Sequence, residues 1–228
     1  MNQLCLAMDT SGLNTSLALL TPDGKGTVIN QFTDARHNEV LVPLIDQLLK
    51  ASNTSLSEIN AICLTTGPGM FTSLRVGLSV AKGIALARNI PIKGVNTLQA
   101  LALTASTTDP VLALIDARKQ ELFAALYHQN KPLYPANIIA PEKLPELIKK
   151  ALPGDQSFYL AGDGAKIAQP FLKEKGANFI LSDVLSPSPL VIGQIGLTAL
   201  SQEGPDDPET LEPFYLRRTD AELKRTAV

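Results

Sequence analysis

The chain of 228 residues has no tryptophan, two cysteines, two histidines, three methionines and only 5% aromatic residues. Two cysteines cannot build a disulfide framework, and a chain this long buries roughly 70% of its unfolded surface without one. Cys5 and Cys63 each lie in an apolar strand-like run and read as small buried hydrophobes. His37 and His128 stand far apart, with no His or Cys at ligand spacing beside either, so no metal site is expected. His37-Asn38-Glu39 reads instead as a polar helix start. The sequence has no Gly-x-Ser-x-Gly elbow, no Gly-x-Gly-x-x-Gly fingerprint and no Gly-Lys-Ser/Thr of a P-loop. Long apolar runs are missing too. Residues 4–8 are cut off by Asp9 and are too short for a signal peptide, and residues 78–87 are interrupted by Lys82 and are too short to span a bilayer. A cytoplasmic protein with no membrane partner is therefore expected. A net charge of −2 and a pI near 5.7 argue against a basic nucleic-acid-binding module. Only the tail gathers cations, and there Asp220 and Glu222 interrupt Arg217, Arg218, Lys224 and Arg225, the pattern of a solvated end.

What is present is an ordinary globular balance, 45% hydrophobic and 18% charged, enough for one large domain or two modest ones. Apolar runs at 4–8, 15–20 and 26–32, separated by Asp9-Thr10-Ser11-Gly12 and Pro22-Asp23-Gly24, predict three antiparallel strands, because such short links cannot make a parallel crossover. Val40, Leu41, Leu44, Ile45, Leu48 and Leu49 recur at helical spacing, with Pro43 bending the helix or marking its first turn. A capping box at Ser55–Glu58, a strand at 61–66, a helix at 72–88, a strand at 91–95 and a helix capped at Asn96 complete a β-β-β-α-β-α-β-α order. Val111-Leu-Ala-Leu-Ile-Asp116 followed by Glu121-Leu-Phe-Ala-Ala-Leu126 then repeats the opening plan, with Asp116 aligned on Asp9 at an offset of 107 residues. That repeat predicts a duplicated α/β fold of two lobes, 1–106 and 107–228, each a mixed sheet flanked by helices. Five prolines between 132 and 153 predict an irregular stretch apart from a helix near 142–151. A strand at 158–161, a helix capped by Asp163 and ending at Gly176, a strand at 177–181 and a helix opened by Ser188-Pro189 follow. The last of these, 189–203, is a candidate to pack back on the first lobe. From Leu211 onward the chain reads as an extended tail with a local segment at 213–217.

Two turns and one helix carry the candidate chemistry. Asp9-Thr10-Ser11 ends a buried strand, where small hydroxyls and backbone N–H groups can bind phosphate and a carboxylate can hold a metal-bound water; equally, Asp9 can serve its own turn. Gly67-Pro68-Gly69 precedes a helix N-terminus, which attracts anions or simply makes a tight entry. The second-half turn, Asp116 to Glu121, is filled by long polar side chains where close approach to a phosphate needs small ones. Together Asp9, Thr10, Ser11, Gly67, Gly69 and Asp116 form a candidate vestigial nucleotide or phosphate site, with no cofactor and no catalytic residue expected. In the helix at 72–88, Ser73, Gly77, Ala81 and Ala85 make a row of small side chains that lets another helix approach, and Leu74 and Leu78 add apolar surface. That helix is buried either by its own lobe or by a partner chain.

Asp9-Thr10-Ser11, Arg36-His37-Asn38-Glu39 with Leu41-Val42-Pro43-Leu44-Ile45, the run Gly67-Pro68-Gly69-Met70-Phe71-Thr72-Ser73-Leu74-Arg75, and Ala81-Lys82-Gly83 resemble the bacterial TsaB (YeaZ) family. Asp116-Ala117-Arg118, Gly162-Asp163-Gly164 and Tyr215-Leu216-Arg217 extend the resemblance over nearly the whole chain. Met70 and Ser73 depart from the family, standing where small residues are usual. The resemblance implies an actin/Hsp70-like (ASKHA) fold. It also implies a non-catalytic subunit that pairs with a TsaD-type transferase, assisted by a TsaE-type ATPase, in threonylcarbamoylation of the adenosine beside the anticodon of ANN-reading tRNAs. It further implies a homodimer when alone and contact with tRNA through the complex. The transferase's metal-binding His-x-x-x-His is missing here. The family's pairing helices would be 37–50 and 72–88, which makes Leu41, Leu44, Ile45, Leu48, Ser73, Leu74, Gly77, Leu78, Ala81 and Ala85 the expected interface. The rival is an independent ATP-dependent kinase or ATPase using Asp9 and Asp116; a metallopeptidase is a third, and the family's older glycoprotease label finds no chemical support in these residues.

Overall fold

A computed structural model describes residues 4–34 and 36–217. The tail cations Arg218, Lys224 and Arg225 lie outside the described residues, as does most of the expected extended tail.

Strand β1 (Cys5–Asp9) is buried along its whole length because it has neighbours on both sides. It pairs antiparallel with β2 (Asn14–Leu20), which pairs with β3 (Gly26–Phe32), an exposed edge whose residues are mostly polar or small. Helix α1 (His37–Ala51) runs through Pro43 in its second turn rather than starting there. A single 3-10 turn at Leu56–Glu58 carries the expected capping box, and β4 (Ala61–Gly67) then returns parallel to β1. Helix α2 (Phe71–Arg88) ends on Asn89 in the left-handed conformation, and β5 (Ile92–Asn96) adds to β4. The Asn96 side chain accepts from the N–H groups of Leu98 and Gln99 to cap α3 (Thr97–Thr104). The first sheet is ordered β3-β2-β1-β4-β5.

The second half repeats that plan. Strands β6 (Val111–Asp116), β7 (Leu122–His128) and β8 (Lys131–Ile139) make an antiparallel meander; α4 (Leu144–Ala151), β9 (Phe158–Ala161), α5 (Ala165–Glu174), β10 (Phe179–Leu181) and α6 (Pro189–Glu203) follow. The order β8-β7-β6-β9-β10 is the first sheet over again. Residues 131–139 are a strand and not the irregular stretch their prolines predict: β8 is an edge, and its register slips between Ala124 and Leu126, so Pro132 and Pro135 need not supply inner ladder bonds. Asp163 does not cap α5; Gly164 holds that position, and Asp163 instead accepts from the Asp116 N–H at 3.0 Å.

Strand alternation fixes where the helices go. Leu6, Met8, Leu17, Leu19, Ile62 and Leu64 point to one face and form a core with α1 and α2. The opposite face carries the small residues Cys5, Ala7, Ala18, Ala61 and Cys63, and α6 lies on it, near enough that Gly193 abuts Leu20 and Gly196 abuts Cys63. In the second sheet Leu112, Leu114, Leu122 and Leu126 meet α4 and α5, while Val111, Ala113 and Ala125 meet α3. Helix α3, from the first half, therefore covers the second sheet, and α6, from the second half, covers the first.

The faces also re-register the internal repeat. Leu6 and Leu112 both face the outer helices, and Ala7 and Ala113 both face the central ones, which is an offset of 106. A one-residue slip exchanges the faces of a strand. Asp9 thus corresponds to Ile115, and Asp116 lies one residue further along a turn that is one residue longer.

Candidate functional site

A cleft of about 430 Å³ opens between the lobes at the ends of β1, β4 and β6. Ser11, Gly69, Met70 and Phe71 line it from the first lobe, and Ile115, Asp116, Arg118 and Phe123 from the second; Phe214 to Arg217 form a third wall. Of the six expected phosphate-site residues, Ser11, Gly69 and Asp116 line this cleft, and Asp9, Thr10 and Gly67 do not.

Asp9 is only 1% exposed. Its Oδ1 accepts from the Ser11 N–H at 3.0 Å and from the Thr65 hydroxyl at 2.7 Å, so the carboxylate is spent on its own turn and on β4. Burial pushes its pKa up, opposed by those hydrogen bonds and by the nearby His37 ring. Thr10 donates to the Ser73 carbonyl at 2.9 Å, and Gly77 stands where any Cβ would run into the Thr10 hydroxyl. Gly69 is needed for the same reason, since a Cβ there would fall 2.5 Å from the Ser11 carbonyl oxygen, which accepts from the Met70 N–H at 2.8 Å. Helix α2 is thereby seated directly on the β1–β2 turn.

Asp116 faces different company. Its Oδ1 accepts from the Arg118 N–H at 2.7 Å and its Oδ2 pairs with the Arg118 guanidinium at 3.2 Å. Arg118, Lys119 and Gln120 follow one another at positive φ of 60°, 53° and 61°. Three side-chain-bearing residues in that region fold the turn on itself and fill it with long side chains. Asp9 and Asp116 do not face each other as a matched pair of carboxylates; one is enclosed and the other is tied to its own turn.

His37 is buried at the start of α1, not an exposed polar cap. Its Nδ1 meets the Thr15 hydroxyl at 2.7 Å and its Nε2 meets the Gly12 carbonyl at 2.9 Å, pinning the helix to the β1–β2 turn. Burial lowers its pKa. His128 contacts the Thr108 carbonyl at 3.1 Å, far from His37. Among the described residues no three His, Cys, Asp or Glu side chains converge as metal ligands, and no helix is long and apolar enough to cross a membrane.

The faces of α1 and α2 differ in burial. Leu41, Leu44, Ile45, Leu48, Ser73, Leu74, Gly77, Leu78, Ala81 and Ala85 are all buried within the first lobe. The periodicity that marks them is the inward face, and the small row serves the approach of α2 to Thr10 and the sheet. The outward face was hidden behind that stronger signal. It carries Gly83, open to space, Leu86, 55% exposed, and, on α1, Val42, 58% exposed, while Val76, Val80 and Ile84 lie half-buried against the lobe's own core.

The sequence marks the segment after α6 as an extended tail with a local segment at 213–217, without giving its contacts. Phe214 donates its N–H to the Thr66 carbonyl at 2.8 Å, and the Tyr215 ring stacks on Phe71 with centroids 4.8 Å apart. Arg75 lies over Phe71 at 3.8 Å and donates to the Tyr215 hydroxyl at 2.9 Å. Arg217 reaches the other lobe, donating to the Ala117 carbonyl at 2.8 Å and pairing with Glu121. The spacing of Phe71 and Arg75 by one helical turn was the available signal; nothing local pointed to their partner more than a hundred residues away.

With this geometry in hand, similarity to known proteins is informative. A family model described as "TsaD: tRNA N6-adenosine threonylcarbamoyltransferase" matches residues 17–223. The chain is 31% identical over 225 residues, 95% of each chain, to the tRNA threonylcarbamoyladenosine biosynthesis protein TsaB of Escherichia coli K12. It is 30% identical to the TsaB protein of Haemophilus influenzae, over 95% of this chain and 94% of that one. The solved structure of YeaZ from Pseudomonas aeruginosa superposes with a TM-score of 0.80 at 27% identity, covering 94% of this chain and all of the other. On whole-length similarity in sequence, together with a twice-built five-stranded sheet of actin/Hsp70-like order, the chain belongs to the TsaB (YeaZ) family, within the wider family that the TsaD model describes.

Proposed function

We propose that this protein is a non-catalytic subunit of tRNA threonylcarbamoyladenosine synthesis, docking a TsaD-type transferase on the outward face of α1 and α2. The observation that carries the non-catalytic reading is the enclosure of Asp9 at 1% exposure, with its turn seated under α2. A carboxylate held there cannot meet a ligand in the cleft, and the second-lobe turn offers long side chains in place of a phosphate cradle. The vestigial phosphate site is then architecture, needing no cofactor. The exposed apolar side chains of Val42 on α1 and Leu86 on α2 support docking, with the open Gly83 on α2 admitting a close helix and Val76, Val80 and Ile84 half-buried on the same helix. Without the transferase the same face supports a homodimer, and tRNA and a TsaE-type ATPase are met through the complex in the cytoplasm. The protein acts by binding the active state of its partner better than the inactive one.

The test is Leu86→Glu together with Gly83→Arg, both on exposed positions. Co-purification with a TsaD-type transferase and threonylcarbamoyladenosine formation in a reconstituted system should fall together, with the melting temperature unchanged. Undiminished pairing would refute the docking face. Turnover of ATP by the isolated chain, abolished by Asp9→Asn, would establish the rival kinase or ATPase.

A further inference from the structure

Residues 204–217 cross the molecule from one lobe to the other. At the near end Asp206 donates its N–H to the Ile92 carbonyl at 3.0 Å, and its side chain accepts from the Gly94 N–H at 2.8 Å and from Lys93 at 3.1 Å. Leu211, half-buried, packs against the first lobe's core, and Leu216, also half-buried, packs against the core that α3 makes with β6 and β7. Four residues, 212–215, therefore separate an anchor in one lobe from an anchor in the other. Between them Phe214 is bonded to Thr66 and Tyr215 is held by Phe71 and Arg75. Gly67 is required here: at φ 131° it lies so near the strap that a Cβ would fall 2.5 Å from the Phe214 carbonyl oxygen. Beyond Leu216, Arg217 grips the β6–β7 turn through the Ala117 carbonyl and Glu121, and its side chain keeps only 25% of its exposure.

We infer that this strap is a latch that holds the two lobes closed over the cleft, with Arg217 on the β6–β7 turn as the bolt and Tyr215 on α2 as the hinge plate. A segment that packs one half-buried leucine against each lobe's core resists separation of both, and a guanidinium fork on a carbonyl and a carboxylate adds direction to that resistance. The strap is also the cleft's third wall, so its position sets how much of the cleft is open. Because Tyr215 stands on the first turn of α2, closure is communicated to the helix whose far side is exposed. This inference does not depend on what docks there.

The experiment places nitroxide labels at Lys50→Cys and Lys150→Cys, one on each lobe and both exposed; Cys5 and Cys63 are buried and stay unlabelled. Distances between the labels are compared in the full chain, in Arg217→Ala and in Tyr215→Ala, with amide exchange followed at residues 116–122 and at Phe214. Each variant should lengthen and broaden the distance distribution and quicken exchange at the β6–β7 turn about tenfold, while exchange in β1 and β4 stays as in the parent. Arg217→Lys, which keeps the charge and loses the fork, should open the lobes partway, and it takes the place of Arg217→Ala should that variant not fold. Distances and turn exchange that match the parent in both the Arg217 and the Tyr215 variants would overturn the latch.

Discussion

At the residue scale, two buried titratable groups sit back to back under the first turn of α1 and answer acid in opposite senses. The His37 pKa is lowered by burial, so the folded protein holds the ring neutral while the unfolded chain protonates near pH 6.5. Its contribution to stability is complete above that value and is lost as pH falls through the folded pKa. Asp9 is raised, so it costs stability above its folded pKa and relieves that cost as it protonates. Melting temperature should accordingly drop between pH 7.5 and 5.5 in the parent. The drop should shrink in His37→Gln, at the expense of a lower melting temperature throughout, because the Thr15 and Gly12 bonds are lost. Asp9→Asn keeps an oxygen for Ser11 and Thr65 and removes a buried charge, so at pH 7.5 it should melt no lower than the parent. It should also leave threonylcarbamoyladenosine formation with the transferase intact. A melting loss of several degrees would show that the ionised form is the one the fold wants.

Gly77 is the second residue-scale case. A methyl at this position meets the Thr10 hydroxyl, so Gly77→Ala should destabilise by about 1–3 kcal/mol despite alanine's better helix propensity. Adding Thr10→Ala should return part of the loss, and a denaturant-unfolding double-mutant cycle measures the coupling. Independent, additive effects would mean that α2 does not rest on Thr10.

At the element scale, helices and strands were largely legible because most carry a clean period. The opening strands, α1, β4, α2 and β5 follow from alternation and three-and-four spacing, and their turns are written in Asp, Gly and Pro. One element and one helix face were not. Strand β8 was obscured by Pro132 and Pro135, since a proline rule for inner strands does not bind an edge with slipped register. The exposed face of α2, with Gly83 and Leu86, was obscured because a helix with one strongly apolar side shows only that side, and here it is the lobe's own core. Gly83 separates the two faces experimentally. It has open space around it in mid-helix, so Gly83→Ala should raise stability by about 0.5–1 kcal/mol, read by denaturant unfolding of the isolated chain. If the glycine is retained for close helix contact, the same variant should weaken pairing with the transferase. Stabilisation with undiminished pairing would make Gly83 incidental.

At the scale of the whole molecule, the repeat was legible and its register was not. Matching Asp9 to Asp116 is the natural reading of two apolar strands that each end in aspartate, but identity at a strand end says nothing about which face a side chain takes. The faces can be assigned only once the covering helices are known, and these come from the opposite half of the chain. That exchange makes the lobes interdependent. Without α6, the first sheet would present Cys5, Ala7, Ala18 and Cys63 to water; without α3, the second would present Val111 and Ala113. Fragments 1–106 and 107–228 should therefore not unfold cooperatively on their own, and a thiol reagent should react readily with Cys5 and Cys63 in the first fragment. Mixing the two should restore protection if α6 can dock in trans. The finer version is Gly196→Val in the full chain: a larger side chain at that crossing must push α6 off Cys63, so the reactivity of this thiol should rise above the parent's with the helix content unchanged. Were Cys63 to stay as unreactive as before, the first sheet would be protected by something other than the helix lent to it by the second half.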